Sequence, residues 1–107
     1  MLVELARDRD YRAIGQEPGW RLEVRKGKEI VFIYAYGESR AVTPAPRPET
    51  DAETGARTYR AVTEASDLRV TIAPTACTDA MSGKPFETTV TVTLNDTAYH
   101  GCGGPLP

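Results

Sequence analysis

The stretch "ETTVTVTLND", residues 87–96, decides the fold class because its side chains alternate in character. Val90, Val92 and Leu94 fall on one face of an extended strand, and the threonines between them fall on the other. β-Branched residues at nearly every position favour the pleated form. The Asn-Asp pair at its end marks a turn, and "TAYHGCG", residues 97–103, returns as the last strand.

The same period of two recurs toward the N-terminus of the chain. It predicts strands in "GWRLEVRKG" (19–27), "EIVFIYAYG" (29–37), "RTYRAVT" (57–63) and "DLRVTIAP" (67–74). The first two form a hairpin through the turn at Gly27, and the second is apolar on both faces, with Tyr36 on the side of Phe32. The proline-rich connection at 43–50 is predicted to be a surface loop or a sheet edge, because proline cannot donate to a ladder.

These strands follow one another without alternating helices, so the chain is predicted to be all-β. We expect a single small antiparallel β-barrel or barrel-like sandwich of six to eight strands over residues 11–107. Residues 1–10 have helical character and are expected to form a short helix, a tail or a linker.

Composition excludes several classes of protein. The chain has 107 residues, 40% hydrophobic and 26% charged, as in an ordinary soluble domain. A formal net charge of −2 does not suggest a nucleic-acid-binding protein. No apolar run approaches the roughly 18 residues that span a bilayer. No signal peptide is visible, so the chain is either cytosolic or a mature fragment behind a new Met1.

Two cysteines, Cys77 and Cys102, favour one disulfide bond. The 24 residues between them hold one strand and two turns, and three consecutive antiparallel strands can bring the first near the third. A bridge would close a loop of about 26 residues and stabilise the fold by roughly 3–4 kcal/mol. Two unpaired buried thiols in a cytosolic protein are the alternative.

Catalytic and metal-binding alternatives are weaker. His100 lies two residues from Cys102, which places the two side chains about 7 Å apart on a strand, too far for a direct hydrogen bond. A metal site that adds Cys77 and Met81 matches no recognised spacing. A Ser82–His100–Asp79 triad lacks the glycine context of a nucleophile elbow. The sequence therefore predicts no catalytic residue, metal or cofactor.

Three stretches resemble a known family. They are "YRAIGQEPGWRLEV", with its Glu-Pro-Gly-Trp, "CTDAMSGKPFETTVTVTL", with a cysteine before Met-Ser-Gly, and "YHGCGGPL", with its Gly-Cys-Gly. Together they cover roughly residues 11–106 and resemble a group of small, uncharacterised bacterial envelope proteins, often described as predicted lipoproteins or membrane proteins. The resemblance implies export to the periplasm or cell envelope and supports the disulfide. Membrane attachment would need an anchor, because the sequence shows no lipobox cysteine.

The predicted function is a non-enzymatic envelope domain that binds a protein or a cell-wall component. Candidate binding residues are Asp79, Ser82 and Lys84 in the turn "DAMSGK", together with Trp20, which is expected to lie mainly in the core. One alternative is a lysozyme-inhibitor-like domain in which Ser82 and Lys84 donate to catalytic carboxylates. Another is a barrel that binds a small ligand in a cavity lined by Tyr34, Tyr36, Tyr59 and Tyr99.

Overall fold

The computed structural model describes residues 10–16 and 19–105, and these residues form an all-β protein. The described part of the chain contains no helix, and therefore no helix long and apolar enough to cross a membrane. The strands are β1 (Tyr11–Gly15), β2 (Trp20–Arg25), β3 (Glu29–Tyr34), β4 (Ser39–Pro44), β5 (Glu49–Thr50), β6 (Arg57–Val62), β7 (Asp67–Ala73), β8 (Cys77–Thr78), β9 (Pro85–Phe86), β10 (Thr88–Leu94) and β11 (Thr97–Pro105).

Nine of these strands form one antiparallel sheet that curls into a half-barrel. Their order is β4-β3-β2-β1-β11-β10-β7-β6-β5, and β8 pairs with β9 in a separate two-stranded sheet. β10, the strand predicted from residues 87–96, pairs with β7 on one side and with β11 on the other. β1 joins the N-terminal strands to the C-terminal strands, because it pairs with β2 on one side and with β11 on the other.

The core lies on the concave face of this sheet. Alternate residues of each long strand point into it, so the period of two in the sequence becomes one continuous apolar layer. Phe32 is fully buried and contacts three aromatic rings, those of Trp20, Tyr34 and Tyr99, with ring centroids 5.1–5.8 Å away. The core also includes Leu22, Val24, Ile30, Leu68, Val70, Ile72, Val90 and Val92.

The all-β class and the main strands are confirmed, whereas the number of strands is larger than predicted. The sequence prediction had six to eight strands, and the described residues form eleven. The additions include β4 and the two-residue strands β5, β8 and β9, whose short patterns resemble loops. β4 and β5 are the two edges of the large sheet, so the proline-rich segment between them does lie at sheet edges.

The prediction for the end of β3 was wrong. The strand ends at Tyr34, because Ala35, Tyr36 and Gly37 have φ of 53°, 56° and 91° and form a turn. Tyr36 therefore does not share the inward face of Phe32 and is 76% exposed. The helix, tail or linker predicted for residues 1–10 falls, apart from Asp10, outside the described residues, and Asp10 has no regular secondary structure.

Candidate binding surface

A disulfide bond joins Cys77 to Cys102, as predicted, with Cα atoms 5.5 Å apart. The register pairs Cys102 with Thr89, and these two residues lie on the convex face because their neighbour Val90 points into the core. The small hairpin formed by β8, β9 and the turn between them is consequently bonded to the outside of the sheet. A disulfide of this kind indicates an oxidising environment.

Asp79 organises the turn of this hairpin. Its carboxylate accepts hydrogen bonds from the backbone N–H of Ser82 at 2.9 Å and from the Ser82 hydroxyl at 2.8 Å. Hydrogen bonds from the Ser82 backbone and hydroxyl lower the pKa of Asp79 below its usual value. The Ser82 oxygen in turn accepts from the backbone N–H of Lys84 at 3.2 Å. The turn is thus fixed internally, although its tip residue Met81 is 75% exposed.

One hydrogen bond connects this turn to the end of β1, and a separate one connects the turn 35–38 to the start of β2. Gln16, directly after β1, donates its side-chain N–H to Asp79 at 3.3 Å. Gly19, directly before β2, accepts a bond from the backbone N–H of Tyr36 at 3.1 Å. We use the name loop rim for Gln16, Gly19, the turn 35–38 and the hairpin turn 79–84, because Gln16 bonds the hairpin turn and also lines one surface groove with Gly19 and Tyr36. Tyr36 and Met81 are its exposed large apolar side chains.

The Trp20 side chain is buried next to the loop rim. Its side chain is 5% exposed, and its ring lies against Gly15 and Gly101, where an added Cβ would come within 2.8 Å of the indole. The indole Nε1 is buried and has no hydrogen-bond partner among the described residues. Trp20 is therefore a core residue, as expected, but its edge also lines a surface groove.

This groove has a volume of about 550 Å³ and runs from the loop rim onto the convex face of β1–β4. Its apolar lining comes from Ile14, Ile33 and the rings of Trp20 and Tyr36, and its charged lining comes from Arg21 and Arg40; Gly15, Gln16, Gly19 and Gly37 complete it. A neighbouring depression of about 540 Å³ shares four of these residues. The groove therefore continues into this depression along the outer face of the four strands.

Three of the four predicted binding residues lie in one turn, and the fourth, Trp20, is buried in the core. Asp79, Ser82 and Lys84 belong to a single turn, and Gln16 joins that turn to β1, which pairs with the start of β2 at Trp20. The sequence did not point to Gln16 or to the two groove arginines, and it indicated Tyr36 only for the cavity alternative. Arg21 lies on a predicted strand, β2, whereas Arg40 lies on β4, a strand that was not predicted.

The chemical alternatives have little geometric support. Both cysteines are in the disulfide, so neither is a free thiol. His100 faces Thr91, whose hydroxyl lies 3.4 Å from Nδ1, and the Ser82 hydroxyl is bonded to Asp79 instead. Within residues 10–16 and 19–105, no group of three or more histidine, cysteine or acidic residues could hold a metal ion.

Of the four tyrosines proposed to line a cavity, Tyr34 and Tyr99 lie together, with ring centroids 6.1 Å apart. Tyr59 is buried in the core at 2% exposure, and Tyr34 stacks on Phe32 with centroids 5.1 Å apart. Tyr99 meets the edge of that same Phe32 ring, while Tyr36 lies in the exposed turn of the loop rim. The four tyrosines are thus divided among the cluster around Phe32, the core and the exposed turn of the loop rim.

Comparisons with family models, with curated proteins and with solved structures found no match to this chain. The resemblance to bacterial envelope proteins remains a prediction from the three quoted stretches. Function is therefore inferred from the geometry of the loop rim and the groove.

Proposed function

We propose that this protein is an exported, non-enzymatic domain of the bacterial periplasm or cell envelope that binds a partner protein through the loop rim. The observation that carries the proposal is the display of two large apolar side chains, Tyr36 and Met81, on loops that are held in place. Their exposed fractions are 76% and 75%. Aromatic residues and methionine are enriched at protein interfaces relative to the remaining surface.

The rigidity of the rim supports the same proposal. The hairpin that carries Met81 is fixed by the disulfide, by the Asp79 hydrogen bonds and by Gln16. The turn that carries Tyr36 is fixed by backbone bonds to Gly19 and Tyr34. A surface already ordered before binding loses less conformational entropy in the complex, which favours affinity. The disulfide also supports export, because such bonds persist in oxidising compartments.

A cell-wall component as the ligand has no comparable observation in its favour. The lysozyme-inhibitor version is less favoured as well, because the Ser82 hydroxyl donates to Asp79 within its own turn. A lysozyme-activity assay with excess domain tests this version, and undiminished cell lysis would reject it.

Site-specific photo-crosslinking tests the proposal. A photoreactive amino acid replaces Tyr36, Met81 or, as a control, Val62, which is 66% exposed on β6 and outside the rim. The variants are produced in the natural host, irradiated and analysed by mass spectrometry. We expect Tyr36 and Met81 to give the same protein adduct and Val62 to give none. Equal adducts from all three positions, or none from the rim, would reject the loop rim as the contact surface.

A further inference from the structure

One row of side chains crosses the convex face of four strands beside the loop rim. The register pairs Ile14 of β1 with Arg21 of β2, Arg21 with Ile33 of β3, and Ile33 with Arg40 of β4. These four residues are the ones shared by the two concave regions of this face. Apolar and cationic side chains therefore alternate along the floor of the groove.

The other arginines on this face have acidic partners. Arg12 bonds Glu23 at 2.9 Å, and Arg25 bonds Glu29 at 2.8 Å and Glu23 at 3.4 Å. These pairs account for both glutamates on the exposed faces of β2 and β3.

Arg21 and Arg40 differ from them, because they form no ion pair with any residue that the structure describes. Both side chains are exposed and line the groove. The described lining of the groove thus carries two positive charges and no negative one, although the whole chain has a net charge of −2. An anionic ligand is the complement of two guanidinium groups that have no acidic partner among the described residues, since arginine recognises carboxylates with directed, charge-assisted hydrogen bonds.

The apolar residues between the arginines indicate what else the ligand carries. Ile14 and Ile33 are partly buried, and the Trp20 edge and the exposed Tyr36 ring lie where the groove meets the loop rim. A small inorganic anion would leave this apolar lining unused. A chain that carries carboxylates with apolar side chains between them would cover both parts of the surface.

We infer that the groove binds an acidic, extended segment of the partner protein, with one carboxylate on Arg21, another on Arg40 and an apolar side chain over Ile33. This inference rests on the proposed function, because the groove continues from the loop rim. Arg21 and Arg40 lie two strands apart, or about 10 Å. In a polyproline II segment, positions i and i+3 are separated by about 9 Å and point to the same side, so two acidic residues with two apolar residues between them fit this spacing.

The direct test uses a synthetic peptide amide, acetyl-Gly-Asp-Leu-Val-Asp-Gly, and a control peptide in which both aspartates are asparagine. Binding is followed by the fluorescence of Trp20, the chain's single tryptophan, which lines the groove. We expect saturable binding of the acidic peptide with a dissociation constant of about millimolar or below, and at least about tenfold weaker binding of the asparagine peptide. Equal affinity for the two peptides, or no saturable binding, would overturn the inference.

Two double variants distinguish direct binding by the groove arginines from a general effect of net charge. R21Q/R40Q should weaken binding of the acidic peptide at least about tenfold, since hydrogen bonds to charged groups contribute on that scale. R47Q/R69Q removes the same charge from exposed arginines at a different cavity, beside Glu49, and should leave affinity within about twofold of wild type. Equal weakening in both variants would show a field effect and overturn the groove assignment.

Crosslinking separates the failure of this inference from the failure of the proposed function. If photoreactive residues at Tyr36 and Met81 still capture one partner while the acidic peptide does not bind, the loop rim stands and the acidic segment is wrong. If neither assay gives a specific signal, both are wrong. Unchanged circular dichroism and melting temperature show that each arginine variant is folded.

Discussion

The contact between Gly15 and Trp20 gives the sharpest stability prediction, because the core has no room there for a single methyl group. A Cβ at Gly15 would lie 2.6 Å from Cζ2 of Trp20 and closer still to Nε1 and Cε2. Gly15 is paired with β2 on one side and with β11 on the other, so its backbone cannot move away easily. The indole must therefore shift when Gly15 is replaced by alanine.

The expected cost follows from these contacts. Overpacking a core typically costs about 1–3 kcal/mol, and complete loss of a buried tryptophan ring sets a ceiling of about 3–5 kcal/mol. Alanine also restricts the conformations of the unfolded chain, and this effect offsets the cost by about 0.4–1 kcal/mol. We expect G15A to lower the free energy of unfolding by about 2 kcal/mol. The melting temperature should fall by roughly 8–16 °C, at about 4–8 °C per kcal/mol for a domain of nearly this size.

Gly104 provides the matched control, because a Cβ there meets no atom of the described residues within 4 Å. G104A should leave stability unchanged or raise it by up to about 1 kcal/mol. Urea unfolding followed by Trp20 fluorescence and by circular dichroism measures both variants. If G15A and G104A unfold within about 0.5 kcal/mol of each other, the proposed packing of Trp20 against Gly15 is incorrect.

Three further predictions concern the disulfide, the hairpin turn and the core. Replacing both Cys77 and Cys102 with alanine should lower the free energy of unfolding by about 3.5 kcal/mol, because the unfolded chain is no longer constrained by a loop whose ends are 25 residues apart. A loss below about 1 kcal/mol in urea titrations would contradict this prediction. The pKa of Asp79 is lowered by folding, so its contribution to stability is complete well above about pH 4 and is lost as pH falls through its folded pKa. D79N should therefore flatten the acid limb of stability against pH, and an unchanged limb would exclude this role. Replacing Phe32, 0% exposed, with alanine should cost about 3–5 kcal/mol in the same titrations, and a cost below about 1.5 kcal/mol would place the ring outside the packed core.

The sequence was most informative where structure is local. The alternation in residues 87–96 predicts β10 and its inward face correctly, because a strand with one buried face must have period two. The turn that holds Asp79, Ser82 and Lys84 was also recognisable, since its hydrogen bonds join residues at most five positions apart. By contrast, the inward residues of β4 are the small Ala41 and the polar Thr43, which give a weak hydrophobic pattern.

The assembled binding surface depends on contacts that leave no local signal. Gln16 meets Asp79 across 63 positions of sequence, and β1 pairs with β11 from the opposite end of the chain. The groove arginines become neighbours of one surface only when β4 pairs with β3. Residue types could suggest which side chains bind, but the order of strands decides which of them lie together.

The count of free thiols in the protein from its natural host tests the central claim, an exported domain whose binding hairpin is covalently fixed. Cells are lysed in denaturant with an excess of an alkylating reagent and without reductant, and the intact protein is weighed by mass spectrometry. The account predicts no alkyl group on Cys77 or Cys102 before reduction and one on each after it. Two alkyl groups without reduction would contradict both the fixed hairpin and the oxidising compartment.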